Sequence, residues 1–523
     1  MKKKIFLLTI LIFITITIFS QPITEWERKI DFSRKDKLVD FVTLSNGSFI
    51  GIGINLINDN TFVPFNYYYY KFDCNGKIIW RKQIANYTIG ENQVTNRIQI
   101  SSITENTIAI SGSYSKSDTT GKLIGFIILI DTSGTVLKSR EFESSEYVNI
   151  VKTISDGRDN LIIAFYTRST DGLFQGNKGL EDIWLFKLDL QLNTLQKKNI
   201  GGESVDRANS IIKTKDGGYI LTGSTYSRTG DFKAPYADPN NANSRSDAFV
   251  LKLDESLEVQ WSTAFGGNQN DNAASALEMP DRSLVIAGTT SSYDGVFRGR
   301  STSFSTDAYV ARMGGNGFFS SAQPIGNDRY TGTSVVGFSQ LLPIDTSNYL
   351  LMCYGKTREG IFNTPNDMTW LLKMNTSNEI IWKKSFGVEP KRYVGFGNRG
   401  YQIKKTMDKG YLIVGEADDS ITSRKNSWLL KLSPLEIEKQ ITCEGLSLYP
   451  NPTIGSIKVQ SAEYLQTGTE IKVYDAIGRN IYHGITEKVC KDSDIILPNS
   501  MASGIYYLTI NDTKCVLPFV RTN

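Results

Sequence analysis

A pattern that returns about every 60 residues between Thr24 and Leu432 restricts this chain more than any other feature. The clearest copy opens with Gly201-Gly202-Glu203-Ser204-Val205-Asp206 and continues through Ser210-Ile211-Ile212-Lys213-Thr214. Asp216-Gly217-Gly218-Tyr219 leads into Ile220-Leu221-Thr222-Gly223, and a long loop follows. The copy closes with Asp247-Ala248-Phe249-Val250-Leu251-Lys252-Leu253-Asp254 and Val259-Gln260-Trp261 through Phe265. Each fragment is short, rich in branched or aromatic residues and bounded by Gly, Asp or Asn, which predicts four strands per copy. The Asp-Gly-Gly element reads as a tight hairpin turn in which glycine supplies positive φ. The landmarks of the first three strands recur in seven copies, with turns near residues 46, 105, 157, 217, 282, 346 and 409.

A four-stranded unit exposes two hydrophobic faces, and stacking against neighbours is what stabilises it. A long uniform array of such units predicts an all-β protein, a β-propeller with seven four-stranded blades. Ring closure would remove the two open ends. Trp26, in Thr24-Glu25-Trp26-Glu27-Arg28-Lys29-Ile30, matches the fourth-strand pattern of Ile79-Trp80, Val259-Gln260-Trp261 and Ile381-Trp382. This strand is expected to cross back and complete the last blade beside Trp428–Leu432, with Leu435–Ile441 competing for the same slot. The repeat resembles the Asp-Gly-Gly-Tyr repeats of large exported proteins of the Bacteroidetes. That resemblance covers roughly residues 24 to 432 and implies a β-propeller, with no activity attached.

Met1-Lys2-Lys3-Lys4, an apolar run from Ile5 to Phe19 and then Ser20-Gln21 match a secretory signal peptide, expected over 1–20. The run is short for a membrane span, which needs about 20 residues. Without the three leader lysines the net charge falls from +4 to +1, and scattered charges of that size leave no footprint for nucleic acid. There are five cysteines, Cys74, Cys353, Cys443, Cys490 and Cys515. Cys490 and Cys515 are the one pair considered for a disulfide, with buried free thiols as the other reading.

After Cys443 the pattern changes. Tyr449-Pro450-Asn451-Pro452 with Gly455, then Asp475-Ala476-Ile477-Gly478-Arg479, then Gly504-Ile505-Tyr506 mark turns between alternating segments. They read as a small immunoglobulin-like antiparallel sandwich over 441–523, following a propeller over 21–440. Pro450 and Pro452 fix φ at its start, and Gly478 is expected in a hairpin turn. The three elements, in this order at the C-terminal end, resemble the type A sorting domain of type IX secretion. The resemblance implies engagement with that secretion machinery, passage across the outer membrane through the periplasm, and a secreted or cell-surface location.

The one histidine is His483, in the tail, so a propeller over 21–440 has none for a Ser-His-Asp system or a zinc site. No G-x-x-x-x-G-K-[ST] loop is present. No catalytic, cofactor-binding or metal-ligating residue is assigned, and no cofactor is expected. Four loops share a pattern, Asp171-Gly172-Leu173-Phe174, Gly230-Asp231-Phe232, Asp294-Gly295-Val296-Phe297 and Glu359-Gly360-Ile361-Phe362. Acidic groups on one rim could bind Ca²⁺ or flank a glycosidic bond. The favoured reading is structural: the acid starts a turn and the phenylalanine pins the loop. Asp206 and Asp271, and Asp182, Asp247, Asp307 and Asp367 ahead of third strands, are expected to hold backbone amides. Tyr67–Tyr70 reads as blade packing ahead of a sugar-stacking patch. The expected function is a binding scaffold for protein or glycan without catalysis. The alternative is a carbohydrate-active, glycoside hydrolase-like enzyme using paired carboxylates.

Overall fold

The computed structural model describes residues 21–22, 24–30, 36–56, 65–89, 98–115, 122–236, 245–298, 306–325, 335–357, 364–387, 398–418, 425–435, 446–449, 453, 456–465, 468–475, 479–486, 490–498, 501–510 and 516–521. The leader expected at 1–20 lies outside them.

The chain starts with β1 (Thr24–Ile30) and then builds successive antiparallel meanders. The first is β2 (Asp36–Thr43), β3 (Phe49–Leu56), β4 (Phe65–Phe72) and β5 (Ile78–Ile89). The second is β6 (Gln99–Ser102), β7 (Ile108–Ser115), β8 (Leu123–Ile130) and β9 (Val136–Phe142). β10 (Val148–Ser155), β11 (Leu161–Thr167), β12 (Asp182–Leu188) and β13 (Thr194–Ile200) form the third. The fourth comprises β14 (Asp206–Lys213), β15 (Tyr219–Thr225), β16 (Asp247–Leu253) and β17 (Val259–Phe265). The fifth comprises β18 (Asp271–Glu278), β19 (Leu284–Thr290), β20 (Asp307–Met313) and β21 (Phe319–Ile325). The sixth is β22 (Val335–Pro343), β23 (Asn348–Thr357), β24 (Thr364–Asn375) and β25 (Ile380–Phe386). The last has three strands, β26 (Arg399–Lys405), β27 (Tyr411–Asp418) and β28 (Lys425–Leu432), and its fourth place is taken by β1. β1 runs antiparallel to β28, with Trp26 opposite Lys431 and Lys29 opposite Trp428.

These four-stranded sheets pack face to face, and the apolar core lies in the slots between them. Leu38, Phe41, Phe49, Tyr70 and Phe72 of the first sheet share one such slot with Leu412, Val414 and Leu429 of the last. The first strands contact one another in the order β2, β6, β10, β14, β18, β22, β26 and then β2 again, so the series closes on itself. The result is a β-propeller-like all-β fold. Closure leaves no sheet face without a partner, which is why continuous apolar strands such as β8 are buried along their whole length.

The fourth-strand tryptophans explain part of this stacking. Trp26, Trp80 and Trp261 lie against Gly76, Gly134 and Gly317 in the hairpins of the following sheets. A Cβ at those glycines would come within 2.8, 2.5 and 2.7 Å of the indole rings. β1 therefore carries the same packing device as the ordinary fourth strands. Ion pairing reinforces it: Lys431 Nζ lies 2.9 Å from Glu25 Oε2 and 2.6 Å from Asp408 Oδ2, with all three side chains nearly buried. Trp428 Nε1 donates to Glu27 Oε1 at 2.7 Å.

Local details depart from expectation in two places. Gly217 takes the left-handed conformation (φ 89°), but in the later copies that conformation falls on Arg282 (φ 67°) and Lys409 (φ 64°). Turn position was legible there, whereas the glycine requirement was not general. Cys74 is disulfide-bonded and Cys353 is a buried free thiol. The side chains of Cys490 and Cys515, the pair considered because both fall in the tail, lie outside the described residues. Tyr67, Tyr69 and Tyr70 are buried in inter-sheet packing, and Tyr67 and Tyr69 donate to the carbonyls of Ser113 and Gly134 at 3.0 Å.

The tail folds separately as β29 (Leu446–Tyr449), β30 (Ser456–Leu465), β31 (Glu470–Asp475), β32 (Asn480–Ile485), β33 (Cys490–Ile496), β34 (Gly504–Ile510) and β35 (Val516–Arg521). Two sheets, ordered β29-β30-β33 and β32-β31-β34-β35, share a core that includes Val459, Val473, Leu508 and Phe519. Among the described residues no helix is long and apolar enough to cross a membrane.

Candidate functional site

Of the tail motif residues, Asp475, Gly504 and Tyr506 meet on neighbouring strands of the sheet β32-β31-β34-β35. Asp475 pairs across strands with Tyr506, Tyr506 pairs with Phe519, and Gly504 pairs with Arg521. Tyr506 is buried; its hydroxyl donates to Ala502 O at 2.7 Å and its ring stacks on Phe519 at 5.8 Å. The Asp-x-x-Gly-Arg element is a self-bonded turn between β31 and β32. Asp475 accepts from Arg479 N at 2.9 Å and from Arg479 Nε at 2.7 Å, while Asp475 N donates to Arg479 O at 3.0 Å. Tyr449 ends β29 opposite Lys458. Pro450, Asn451, Pro452, Gly455 and Gly478 lie outside the described residues. Thr453, beside the two prolines, donates its N–H to Val520 O at 2.8 Å and bridges to Arg521, which joins the first motif to the last strand. His483 is exposed on β32, 2.6 Å from Glu470.

In the propeller-like part, the repeated loop acids hold backbone. Asp171 accepts from Ser145 N at 3.1 Å, Asp231 from Gly201 N at 2.9 Å and Asp294 from Asn268 N at 2.7 Å. Phe174, Phe232 and Phe297 are fully buried, so acid and ring together tie each loop to the chain entering the same sheet. Glu359 and Phe362 lie outside the described residues.

Asp206 and Asp271 are enclosed carboxyls of a second repeated kind. Asp206 Oδ2 accepts from Gly202 N at 2.8 Å and Ser227 Oγ at 3.0 Å. Asp271 Oδ2 accepts from Gly267 N and Ser292 Oγ, both at 2.8 Å. The aspartate opening the preceding sheet's third strand stands close by, Asp182 for Asp206 and Asp247 for Asp271. Gly201 and Gly266 thread between the pairs, where a Cβ would lie 2.2 Å from Asp182 Oδ1 and 2.4 Å from Asp247 Oδ1. Burial, reinforced by the neighbouring aspartate and partly offset by the hydrogen bonds, pushes Asp206 and Asp271 up to about 7.

The folded chain thus keeps protons that the unfolded chain releases near pH 4. Their contribution to stability is fully present below that pH and is lost as pH rises through about 7. Unfolding free energy from urea titration is expected to fall by a few kcal/mol between pH 5 and pH 7.5, roughly 1.4 kcal/mol per pH unit for each group. Asp206→Asn, which keeps the shape of the neutral form, is expected to flatten that slope. An unchanged slope in the variant would show that Asp206 is ionised across the window.

Two further polar clusters were not read from the sequence. The Glu181 carboxylate is buried just ahead of β12; Arg207 Nε and Nη2 donate to its two oxygens, and Tyr147 Oη donates to Oε2. Arg168 Nε lies 3.5 Å away. Where other copies have Ser246 or Thr306 before the third-strand aspartate, this one has glutamate, and that departure was the available signal. The second cluster lines the ring of first strands. A β-bulge recurs between Leu38 and Asp40, Ile150 and Lys152, Ala208 and Ser210, and Ala273 and Ser275. It recurs again between Phe338 and Gln340, and between Gly400 and Gln402. Such bulges re-aim side chains. Asp40 Oδ2 accepts from Ile100 N and Gln340 Oε1 from Ile403 N, both at 3.1 Å, so these side chains reach along the ring to the next first strand. Among the described residues no group of three or more His, Cys, Asp or Glu is placed to hold a metal ion.

Comparison with known proteins identifies the tail. The family model for a secretion system C-terminal sorting domain matches residues 447–517. A type IX secretion sorting domain is therefore present; it implies export, engagement with the type IX machinery and a secreted or cell-surface location. No curated protein matches the sequence. Among solved structures, the subtype N11 neuraminidase-like protein of A/flat-faced bat/Peru/033/2010 (H18N11) is 10% identical with a TM-score of 0.36, covering 79% of this chain and 93% of that one. PorZ, a surface component of the type IX secretion system of Porphyromonas gingivalis, is 10% identical with a TM-score of 0.25, covering 95% and 100%. A protein from Lactobacillus plantarum is 12% identical with a TM-score of 0.40, covering 77% and 97%. At these levels neither activity nor ligand carries over to this chain.

Proposed function

We propose that this is an exported protein of the Bacteroidetes type, a seven-bladed β-propeller over 21–440 that serves as a binding scaffold for protein or glycan, without catalysis. A signal peptide at 1–20 starts its export, and an immunoglobulin-like sorting sandwich at 441–523 delivers it through type IX secretion. The sorting-domain match over 447–517 carries the export half of this reading. The scaffold half is supported by how the repeated carboxylates are used. Asp171, Asp231 and Asp294 cap backbone amides, and Asp206 and Asp271 are enclosed where no glycan can reach them.

The test is to apply the purified exported chain to glycan and surface-protein arrays while monitoring hydrolysis products. Saturable binding without product is the expected result. Product formation from any bound glycan would overturn the scaffold reading and assign turnover.

A further inference from the structure

The fourth strands of the propeller-like part share one irregularity. Each skips one residue of the register opposite the end of its third strand, which marks a β-bulge. Ile79, Leu137 and Leu195 are skipped residues of this kind, and each is more than half exposed. In the closing sheet the skipped residue is Glu25, between Thr24 and Trp26, and there the bulge turns an acid inward.

Lys431 therefore meets two carboxyl groups, Glu25 Oε2 at 2.9 Å and Asp408 Oδ2 at 2.6 Å, and none of the three side chains is more than 5% exposed. Equivalent third-strand lysines meet one. Lys252 Nζ lies 3.0 Å from Asp216 and gives another bond to Thr214 Oγ1 at 3.1 Å, and Lys187 Nζ lies 3.0 Å from Asp156. Burial, with a smaller contribution from Asp408 and against the attraction of Lys431, raises Glu25 and favours its protonated form. The Lys431 nitrogen lies one bond beyond hydrogen-bond distance from the Glu25 carboxyl carbon, so within about 4 Å of it, against roughly 3–3.5 Å for reacting atoms in an aligned pair.

We propose that Lys431 and Glu25 condense to an isopeptide bond that closes the ring covalently. Asp408 takes one proton from the Lys431 ammonium, and the freed amine attacks Cδ of protonated Glu25. The Glu25 C–O bond breaks, and its hydroxyl leaves as water with a second proton from the nitrogen. Ammonium, carboxylic acid and carboxylate thus give a secondary amide, one water and a protonated Asp408, with nothing oxidised or reduced. Enclosure penalises the charged reactants and not the neutral amide, while the water leaves to solvent. The bond joins β1 to β28 across 406 positions of sequence, where a covalent tie restricts the unfolded chain most. A chain in which it has not formed keeps the ion-paired cluster.

Mass spectrometry of the purified exported chain, reduced, denatured and digested, tests this. A branched peptide joining Glu25 to Lys431, one water lighter than its two parts, is expected from most of the folded wild-type protein. Lys431→Arg, which keeps the charge but lacks the nucleophilic amine, and Asp408→Ala, which lacks the base, should both yield the two peptides unlinked. Should either variant fold poorly, the wild-type digest decides alone. Unlinked peptides at full mass from folded wild type, or a link from Lys431 to Asp408 instead of Glu25, would overturn the proposal.

Discussion

Lys431→Ala is expected to destabilise the chain by about 3–5 kcal/mol, more than other single changes on the closing sheet, and to open the ring. The lysine is buried between Glu25 of β1 and Asp408 of the hairpin before β27. Its removal strands two enclosed carboxylates whose charges then face each other, and burial already holds Glu25 above the usual carboxylate range. β1 is attached to the rest of the ring mainly through β28, so losing this anchor frees the whole strand. The bared edge of β28 would then template association. Urea denaturation and light scattering of the exported chain check both effects. Replacing the cluster together, with Glu25→Leu, Lys431→Met and Asp408→Asn, should recover most of the loss, because no unpaired charge remains. A cost below about 1 kcal/mol for Lys431→Ala would mean that strand pairing alone holds the closure.

Tyr506→Ala is expected to remove extracellular protein almost completely while leaving the propeller-like part folded. The side chain is buried in the tail core, stacked on Phe519 and bonded to Ala502 O. Aromatic truncations of this kind cost roughly 3–5 kcal/mol, comparable to the whole stability of a small sandwich. Immunoblots of culture fluid, cell surface and periplasm in a type IX-competent host give the export readout, and calorimetry separates the two unfolding transitions. Arg479→Ala supplies the contrast. Its side chain is 73% exposed, and its surface ion pair with Asp475 stabilises little. If Arg479→Ala also blocks export with the tail still folded, the arginine is read by the machinery. If export is untouched, the motif serves the turn.

Much of the architecture was legible because it is periodic. Glycine and aspartate turns between branched segments recur, and Trp26 matches Trp80 and Trp261, which exposed β1 as a displaced fourth strand. The tail was legible for a different reason, since its proline, glycine, aspartate and tyrosine residues stand in a fixed order that matches a sorting domain, and Asp475 closes its turn onto Arg479. Asp206 and Asp271 were correctly read as holders of backbone amides, because each stands at a fixed distance after a Gly-Gly pair.

The charge pairings were not legible, whether they arise where one copy differs, as at Glu181, or recur, as third-strand lysines do with turn aspartates at Lys187–Asp156, Lys252–Asp216 and Lys431–Asp408. Glu181 with Arg207 joins two sheets, and Glu25 meets Lys431 where the first strand of the chain enters the last sheet. Local sequence determined the strands, their turns, the closing segment and the sorting tail, since each rests on backbone preferences within a few residues. Tertiary structure alone decided which charges face one another, because burial and pairing across the ring depend on distances that spacing along the chain does not encode.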